Sequence, residues 1–302
     1  MEYKHEPQPE PNGHHDSKGT SGDKRLDLVC FGNPCVDTII TPTERLVRPG
    51  GAAMNTAATL MGLGGKAGII GRIGTDKEGN FLTQKLNECR IDIVRLRVND
   101  QPTFTNDISV SPHEREIIHS ANHFGIDLLA EEDFAYMRTS RAMLIGLRSR
   151  LFVQCAEFAV REKIILYISA HRYLEEKAKG NGYYLAQYPI EAIIGDEKEI
   201  GTVKTHCILS PRTPLVATRG SQGSAFLCED AMITAPIYNV ESVDPTGAGD
   251  AFAAGYIFAD LNSMGPAECL ALGNACGAIA VTGYGAQQPI TKLIVSRLLG
   301  TG

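Results

Sequence analysis

The sequence lacks several features that would assign the chain to a specialised class of protein. Its 302 residues contain no Trp, no CxxC pair and no Cys and His spacing of the kind that binds zinc. The 29 basic residues form no stripe and face 35 acidic ones, so nucleic acid is not an expected partner. The longest largely apolar stretch, Leu270 to Val281, is too short to span a bilayer, which predicts no contact with a membrane. A composition with 43% hydrophobic and 21% charged residues is typical of a soluble globular protein.

The N-terminal segment also lacks an apolar core of the kind that an export signal needs. Residues 1–24 consist mainly of Pro, Gly, His and charged residues, which predicts a disordered tail that plays no part in the fold. Most of the eight Cys residues sit inside apolar runs, as buried free thiols do. Free thiols without an export signal predict a cytoplasmic protein.

From residue 25 to the end of the chain at residue 302, short apolar runs alternate with segments of helical spacing. This alternation predicts an α/β fold, a parallel sheet covered by helices on both faces, with ligands at the carboxyl ends of the strands. We find no convincing boundary within this range. The predicted strands lie near residues 26–31, 67–70, 142–145, 164–168, 192–194, 215–218 and 224–228, and the predicted helices near 55–63, 81–89, 152–160 and, as three helices, 248–299. Residues 103–110 and 116–119 instead alternate as a solvent-facing hairpin does, and could form a lid.

The segment VDPTGAGDAF, residues 243–252, carries the sharpest chemical signal. It is a glycine-rich turn that leads directly into an apolar helix, so the amides of Gly247, Ala248 and Gly249 would be free to bind an anion. Asp250 falls in the first turn of that helix, where its carboxylate could accept the proton of an attacking hydroxyl. The alternative is an ordinary helix start with an N-terminal acid.

Two further glycine-rich segments carry weaker signals. PGGAAMN, residues 49–55, also places glycines before a helix, and turn chemistry alone could explain it. GLGGKA, residues 62–67, matches the dinucleotide-binding pattern literally, but it follows a helix and leads into a strand, which is the reverse of the required order. The first strand ends in Gly32-Asn33-Pro34, without that fingerprint, so an oxidoreductase is nearly excluded.

Together, VDPTGAGDAF and PGGAAMNTAATLMGLGGKAGIIGRIGTDKEGNFL, in this order along the chain, resemble the ribokinase (PfkB) family of carbohydrate and nucleoside kinases. Weaker matches at residues 32–37, 103–122, 214–226 and 274–287 extend the resemblance over about residues 26–299. The resemblance implies a ribokinase-like three-layer α/β/α sandwich with a small β-sheet lid, whose segments we expect near residues 38–49 and 97–122.

The resemblance also implies roles for individual residues at the acceptor side. Asp250 would be the catalytic base, and Gly247, Ala248 and Gly249 would bind the γ-phosphate as charge develops on it. The positions that bind acceptor hydroxyls in the family correspond here to Asp37, Gly50, Gly51 and Asn55.

On the donor side, the resemblance implies ATP and Mg²⁺. Thr218, Gly220 and Gly223 match the turn beneath the ATP phosphates, and Asn274 matches a loop near the adenine. The family's Asn-x-x-Glu motif corresponds to Asp196 and Glu199, which would organise Mg²⁺ through water. Asp244 and Gly285 fit positions beside a monovalent cation, which would be K⁺.

Several departures from the family pattern limit these expectations. The stretch from Asp37 to Gly50 is short, which predicts a lid lacking part of its first strand pair, and Gly201 to Pro214 is short enough to remove one unit from the sheet. The segment around Leu147 lacks the acidic residue common in ribokinases, and GGAAMN lacks the Lys of the GGKG variant. The missing Lys argues against a phosphorylated acceptor and favours a free sugar, polyol or nucleoside.

The leading hypothesis is therefore an ATP-dependent kinase that phosphorylates a primary hydroxyl of a free sugar or sugar-like acceptor. An adenosine-like nucleoside kinase of the same family stays open, and Phe104, Phe124 and Tyr173 are the aromatic candidates for stacking on a base. A catalytically weak relative that only binds a sugar or nucleoside is the second alternative. Family dimers often pair through the lid, so a trimmed lid leaves both a monomer and a homodimer open.

Overall fold

The computed structural model describes residues 25–110, 115–123, 125–171 and 183–300, so the predicted tail lies outside the described residues. The strands are β1 (Leu26–Phe31), β2 (Cys35–Ile40), β3 (Arg45–Gly50), β4 (Ala67–Gly74), β5 (Leu96–Asn99), β6 (Phe104–Val110), β7 (Arg115–Ala121), β8 (Ser140–Gly146), β9 (Ile165–Ser169), β10 (Ile190–Asp196), β11 (Leu215–Thr218), β12 (Ser224–Cys228) and β13 (Ala231–Ala235). The helices are α1 (Ala52–Gly62), α2 (Lys77–Glu88), α3 (Glu131–Met137), α4 (Phe152–Glu162), α5 (Glu197–His206), α6 (Ala248–Leu261), α7 (Pro266–Ala280) and α8 (Lys292–Leu299).

The large sheet has the order β13-β12-β11-β10-β9-β8-β1-β4-β5. From β5 to β11 every neighbouring pair is parallel, whereas β12 pairs antiparallel with both β11 and β13. All eight residues of β4 are buried, as expected for a strand covered on both faces.

Two apolar cores fill the space on either side of the large sheet. Alternate residues of one strand point to opposite faces, so Leu28 of β1 packs in the core formed with α1, α2, α6 and α7. Its neighbour Val29 packs in the other core, formed with α3, α4 and α5. The predicted three-layer α/β/α architecture is confirmed.

A second sheet, with the order β3-β2-β6-β7, forms the lid. The expected trimming of its first strand pair is not seen: β2 and β3 pair along six residues each. Four residues, 41–44, are enough for the turn, because the Thr41 hydroxyl accepts the Glu44 amide at 3.1 Å. The segment 97–122 contributes its lid strands only from Phe104 onward, since β5 belongs to the large sheet.

The short connection after Glu199 leaves the large sheet continuous. It contains α5 and an eight-residue link, and β11 then pairs directly with β10 through four partners. The sheet therefore has no gap at this point. Among the described helices, none combines the length and the apolar character that crossing a membrane requires.

Candidate active site

An open cleft of about 740 Å³ lies at the carboxyl edge of the large sheet. The last residue of each of five neighbouring parallel strands lines it, and the other wall comes from the starts of α1 and α6. This is the edge where parallel sheets bind ligands. The five strand-end residues are Phe31, Gly146, Ser169, Asp196 and Thr218.

The start of α6 has the geometry of an anion-binding turn. Gly247 is the N-cap residue with φ of 79°, and a Cβ there would lie 2.4 Å from the Cβ of Ala286. Gly249 lines the cleft, and a Cβ on it would meet no atom within 4 Å. The Ala248 amide already donates a hydrogen bond, a long one of 3.3 Å, to the Pro245 carbonyl. The amides of Gly247 and Gly249 are therefore better placed than that of Ala248 to bind an anion.

The two sequence motifs meet at Asp250. The Asn55 side-chain amide donates to the Asp250 carboxylate at 2.8 Å, although the two residues are 195 positions apart. Asn55 is 5% exposed, and its Oδ1 is buried without a hydrogen-bond partner among the described residues. A buried acceptor without a donor is costly, so this oxygen is available to a hydroxyl of a bound molecule.

A buried thiol, that of Cys30, lies close enough to this carboxylate to feel its charge. Burial, together with the negative charge of Asp250, raises the pKa of the Cys30 thiol well above its ordinary value. Cys30 is therefore neutral, and Asp250 is the ionisable group that faces the cleft here.

The predicted acceptor-binding residues lie where the lid meets the large sheet. Asp37 on β2 is 4% exposed and accepts the side-chain amide of Asn106 at 2.8 Å. Gly50 leaves room for this carboxylate, because a Cβ there would lie 2.1 Å from Asp37 Oδ2. Gly51 has φ of 95° and makes the turn into α1. A second cavity of about 540 Å³ adjoins the cleft and shares Phe31 and Gly146 with it.

On the donor side, Asp196 and Glu199 form a reciprocal cap at the start of α5. The Asp196 carboxylate accepts the Glu199 amide at 2.8 Å, and Glu199 Oε2 accepts the Asp196 amide at 2.9 Å. Glu199 Oε1 lies 3.9 Å from His171 Nδ1. One oxygen of each carboxylate is thus used to start the helix, and both residues line the cleft.

Next to them, β11 leads into a tight turn. Thr218 is the register partner of Asp196 and lines the same cleft. Gly220 and Gly223 both have positive φ, 54° and 84°, as the sequence pattern predicts for close backbone approach.

A third cavity of about 380 Å³ opens beyond this turn and has a mainly apolar lining. Asn274 lines it, but its side-chain amide donates to the carbonyls of Ala235 and Pro236, so it fixes the end of β13. Asp244 and Gly285 are in contact, since Asp244 Oδ2 accepts the Gly285 amide at 2.9 Å. Asp244 Oδ1 accepts both the amide and the hydroxyl of Thr246.

Sequence reasoning missed two cationic side chains of the cleft, Lys198 and Arg219. Lys198 lies within the motif from Asp196 to Glu199 and Arg219 within the matched segment 214–226, so the general need for positive charge around ATP phosphates could have singled them out. The Nε of Arg219 is buried without a hydrogen-bond partner among the described residues. Of the aromatic candidates, Phe104 packs against His123 with ring centroids 4.2 Å apart, and Phe124 and Tyr173 lie outside the described residues.

Comparison with known proteins identifies the family of this chain. The model of the pfkB family carbohydrate kinases matches residues 26–170 and 190–293. The ATP-dependent ribose-1-phosphate kinase of Halopiger xanaduensis is 26% identical over 83% of this chain and 86% of its own length. A fructokinase of Klebsiella pneumoniae is 28% identical over 85% of this chain and 93% of its own length.

Solved structures show the same fold. An adenosine kinase from Sinorhizobium meliloti superposes with a TM-score of 0.75 at 19% identity, covering 91% of this chain and 99% of that one. A ribokinase from Arabidopsis thaliana, complexed with ribose and ATP, superposes with a TM-score of 0.73 at 19% identity, covering 91% of this chain and 98% of that one. Because the family model spans most of the sequence, the chain belongs to the pfkB family of carbohydrate kinases, ATP-using phosphotransferases that act on a sugar or nucleoside hydroxyl.

Proposed function

We propose that the protein transfers the γ-phosphate of ATP to a primary hydroxyl of a sugar or sugar-like acceptor, with Asp250 as the catalytic base. The observation that carries this proposal is the 2.8 Å contact between Asn55 and Asp250 at the start of α6. It joins an acceptor-binding side chain to a carboxylate that faces the phosphate-binding turn.

The acceptor would bind between the lid and the large sheet. Asp37 would accept one of its hydroxyls, and Asn55 Oδ1, which has no hydrogen-bond donor among the described residues, would accept another. Two fixed acceptors orient a polyol, so that its reacting hydroxyl is held in line for attack. Asn55 also holds the Asp250 carboxylate in one rotamer through its amide.

In the chemical step, Asp250 takes the proton of the primary hydroxyl while that oxygen forms a bond to the γ-phosphorus. The bond between this phosphorus and the bridging oxygen breaks, and ADP leaves with the electron pair. Negative charge on the transferred group would face the amides at the start of α6, where Gly249 leaves the approach open.

The ATP phosphates would follow the edge of the sheet from α6 to the Thr218 turn. Lys198 and Arg219 line this path, and a bound phosphate would supply the partner that the buried Nε of Arg219 lacks among the described residues. The apolar cavity beyond Gly223 has the lining expected for an adenine base, and Asn274 shapes its wall.

Mg²⁺ fits this cleft as a partner of the phosphates. Within the described ranges no three His, Cys, Asp or Glu side chains converge as a metal cage, and Mg²⁺ with one or two carboxylates and substrate phosphates needs none. Glu199, with Asp196 beside it, would hold the ion through water. When bound, the ion neutralises charge on the phosphates.

The Asp244 site does not fit a monovalent cation well. A carboxylate has about four lone-pair positions, and donors from Thr246 and Gly285 occupy three of those of Asp244. Asp244 is fully buried and holds the two loops together. We therefore assign no step to K⁺, and expect turnover to be unchanged when potassium is replaced by sodium.

A nucleoside acceptor is the second candidate. The His123 ring lines the cavity beside the cleft and is held by packing against Phe104. The His123 ring could therefore offer a flat surface to a base. The relatives named above act on ribose 1-phosphate and on fructose according to their names, and a structural neighbour is an adenosine kinase. The oligomeric state is a separate question: both a monomer and a homodimer paired through the lid stay open, and light scattering would distinguish them.

The experiment that tests the proposal is acceptor-dependent release of ADP from Mg-ATP, across hexoses, pentoses, polyols, sugar acids and nucleosides. The exposed Asp230, changed to Asn, is the matched control for Asp250→Asn. Turnover with one class of acceptor, lost only in Asp250→Asn, is the expected result. Binding of ATP or of an acceptor without any turnover would instead favour the catalytically weak relative.

A further inference from the structure

The cavity of about 540 Å³ beside the cleft is where an acceptor would extend away from Asp250. It shares Phe31 and Gly146 with the cleft, so one molecule can occupy both spaces. A Cβ on Gly146 would meet no atom within 4 Å, which means that the passage between the two spaces is open. The chemistry of this second cavity should therefore select the far end of the acceptor.

Positive charge predominates along this cavity. Arg148, Arg150, Asp127 and His123 are its ionisable lining residues. Arg150 lies 3.1 Å from Asp127, and both side chains are exposed, so their charges offset each other. Arg148 has neither an ion pair nor a hydrogen bond with any described residue. The exposed Arg148 thus gives the cavity one guanidinium that no described residue pairs with.

The position of Arg148 in the fold strengthens this observation. It follows β8 directly, on the same edge of the sheet as the other residues that line the cleft. Helix α4 begins four residues later and has no acidic residue in its first turn, so its N-terminal dipole adds to the positive potential without being neutralised. Ala52, by contrast, stands where the GGKG variant of the family motif has a Lys.

We propose that the physiological acceptor carries an anionic group, a carboxylate or a phosphate ester, which Arg148 binds while the primary hydroxyl at the other end meets Asp250. This inference rests on the proposed kinase function and names the class of its substrate. A guanidinium matches either anion with two parallel N–H donors, whereas a neutral sugar offers it no charged partner. The charge that the GGAAMN segment lacks is then supplied from the loop after β8.

The test compares acceptors in matched pairs that keep a free primary hydroxyl: glucose with gluconate, ribose with ribonate, and fructose with fructose 1-phosphate. ADP release is measured for the wild type, Arg148→Ala and Arg148→Lys. Arg212→Ala is the control, because Arg212 is an exposed arginine paired with Glu229 outside all three cavities. Thermal unfolding of each variant shows whether the fold is intact.

We expect the anionic member of a pair to have the higher kcat/KM, and Arg148→Ala to lower it by about 10- to 100-fold, as for loss of a charged hydrogen bond. The loss should appear mainly in KM, and Arg148→Lys should restore part of it. The neutral member should be unaffected in every variant. Preference for gluconate or ribonate identifies a carboxylate, and preference for fructose 1-phosphate identifies a phosphate ester.

Two results would overturn the inference, and they separate it from the proposed function. If neutral acceptors turn over best and Arg148→Ala changes nothing, the kinase stands and the anionic subsite fails. If no acceptor releases ADP, the kinase proposal fails, and calorimetric titration of gluconate and fructose 1-phosphate then tests the subsite alone. Binding that Arg148→Ala abolishes supports the subsite, and no binding contradicts it.

Discussion

The same substitution, Gly→Ala, should have opposite consequences at two positions of the phosphate-binding turn. At Gly247 the backbone has φ of 79°, and the new Cβ would lie 2.4 Å from the Cβ of Ala286. The left-handed conformation costs an Ala roughly 1–2 kcal/mol, and overpacking adds about 1–3 kcal/mol. Gly247→Ala should therefore lower the free energy of unfolding by about 2–5 kcal/mol.

At Gly249 the same change meets no steric obstacle. This residue is helical, and its Cβ would have no atom within 4 Å. Replacing a helical Gly by Ala stabilises a protein by up to about 1 kcal/mol, so Gly249→Ala should unfold no more easily than the wild type. Its methyl group would, however, enter the cleft where the γ-phosphate is expected to approach the amides.

Thermal unfolding and ADP release together separate the two effects. Gly247→Ala should lower the Tm by about 5–10 °C. Gly249→Ala should keep its Tm and lose about 100-fold or more in kcat, comparable to loss of one oxyanion donor. Gly201→Ala is the control, because Gly201 is an exposed helical glycine outside the cavities, and this change should lower neither the Tm nor kcat. Full activity of a stable Gly249→Ala variant would refute the assignment of this turn to the phosphate.

Three further changes test other parts of the account. Gly50→Ala would place a Cβ 2.1 Å from Asp37 Oδ2, so it should raise the KM for the acceptor and leave the KM for ATP unchanged in steady-state kinetics. Arg219→Ala removes the guanidinium with an unpartnered Nε, so the KM for ATP should rise by about 10-fold or more with little effect on the acceptor. Burial raises the pKa of the Asp133 carboxyl, but the hydrogen bonds that it accepts, first among them the one from Arg95, lower that pKa by more. The pKa of Asp133 in the folded protein therefore lies below its ordinary value of 3.8. This carboxylate therefore stabilises the fold above about pH 4 and less as the pH falls below its folded pKa, and Asp133→Asn should reduce that acid sensitivity in unfolding experiments.

Much of the fold could be predicted because the buried strands are short, continuous apolar runs bounded by glycine or polar residues. Leu26–Phe31, Leu215–Thr218 and Ser224–Cys228 are strands with the predicted bounds. Chain length between motifs was a poorer guide, since a short connection predicted a trimmed lid where β2 and β3 are fully paired. A turn needs few residues when a side chain such as that of Thr41 closes it.

The site could be predicted in part, for a similar reason. Glycine-rich turns before helices are local features, so the start of α6 was accessible from the sequence, whereas the Asn55–Asp250 contact depends on packing across 195 residues. The roles of Asp196 and Glu199 as a helix cap also follow from local spacing. The role of Arg148 could not be predicted from the sequence, because only the folded chain shows which cavity the loop after β8 borders.

The role of Asp250 as the catalytic base can be measured directly by single-turnover phosphoryl transfer from γ-labelled ATP to the acceptor found in the panel. We expect Asp250→Asn to bind ATP and acceptor as the wild type does and to transfer the labelled group about 10²- to 10⁴-fold more slowly. Transfer by Asp250→Asn at close to the wild-type rate would contradict the assignment of Asp250 as the catalytic base.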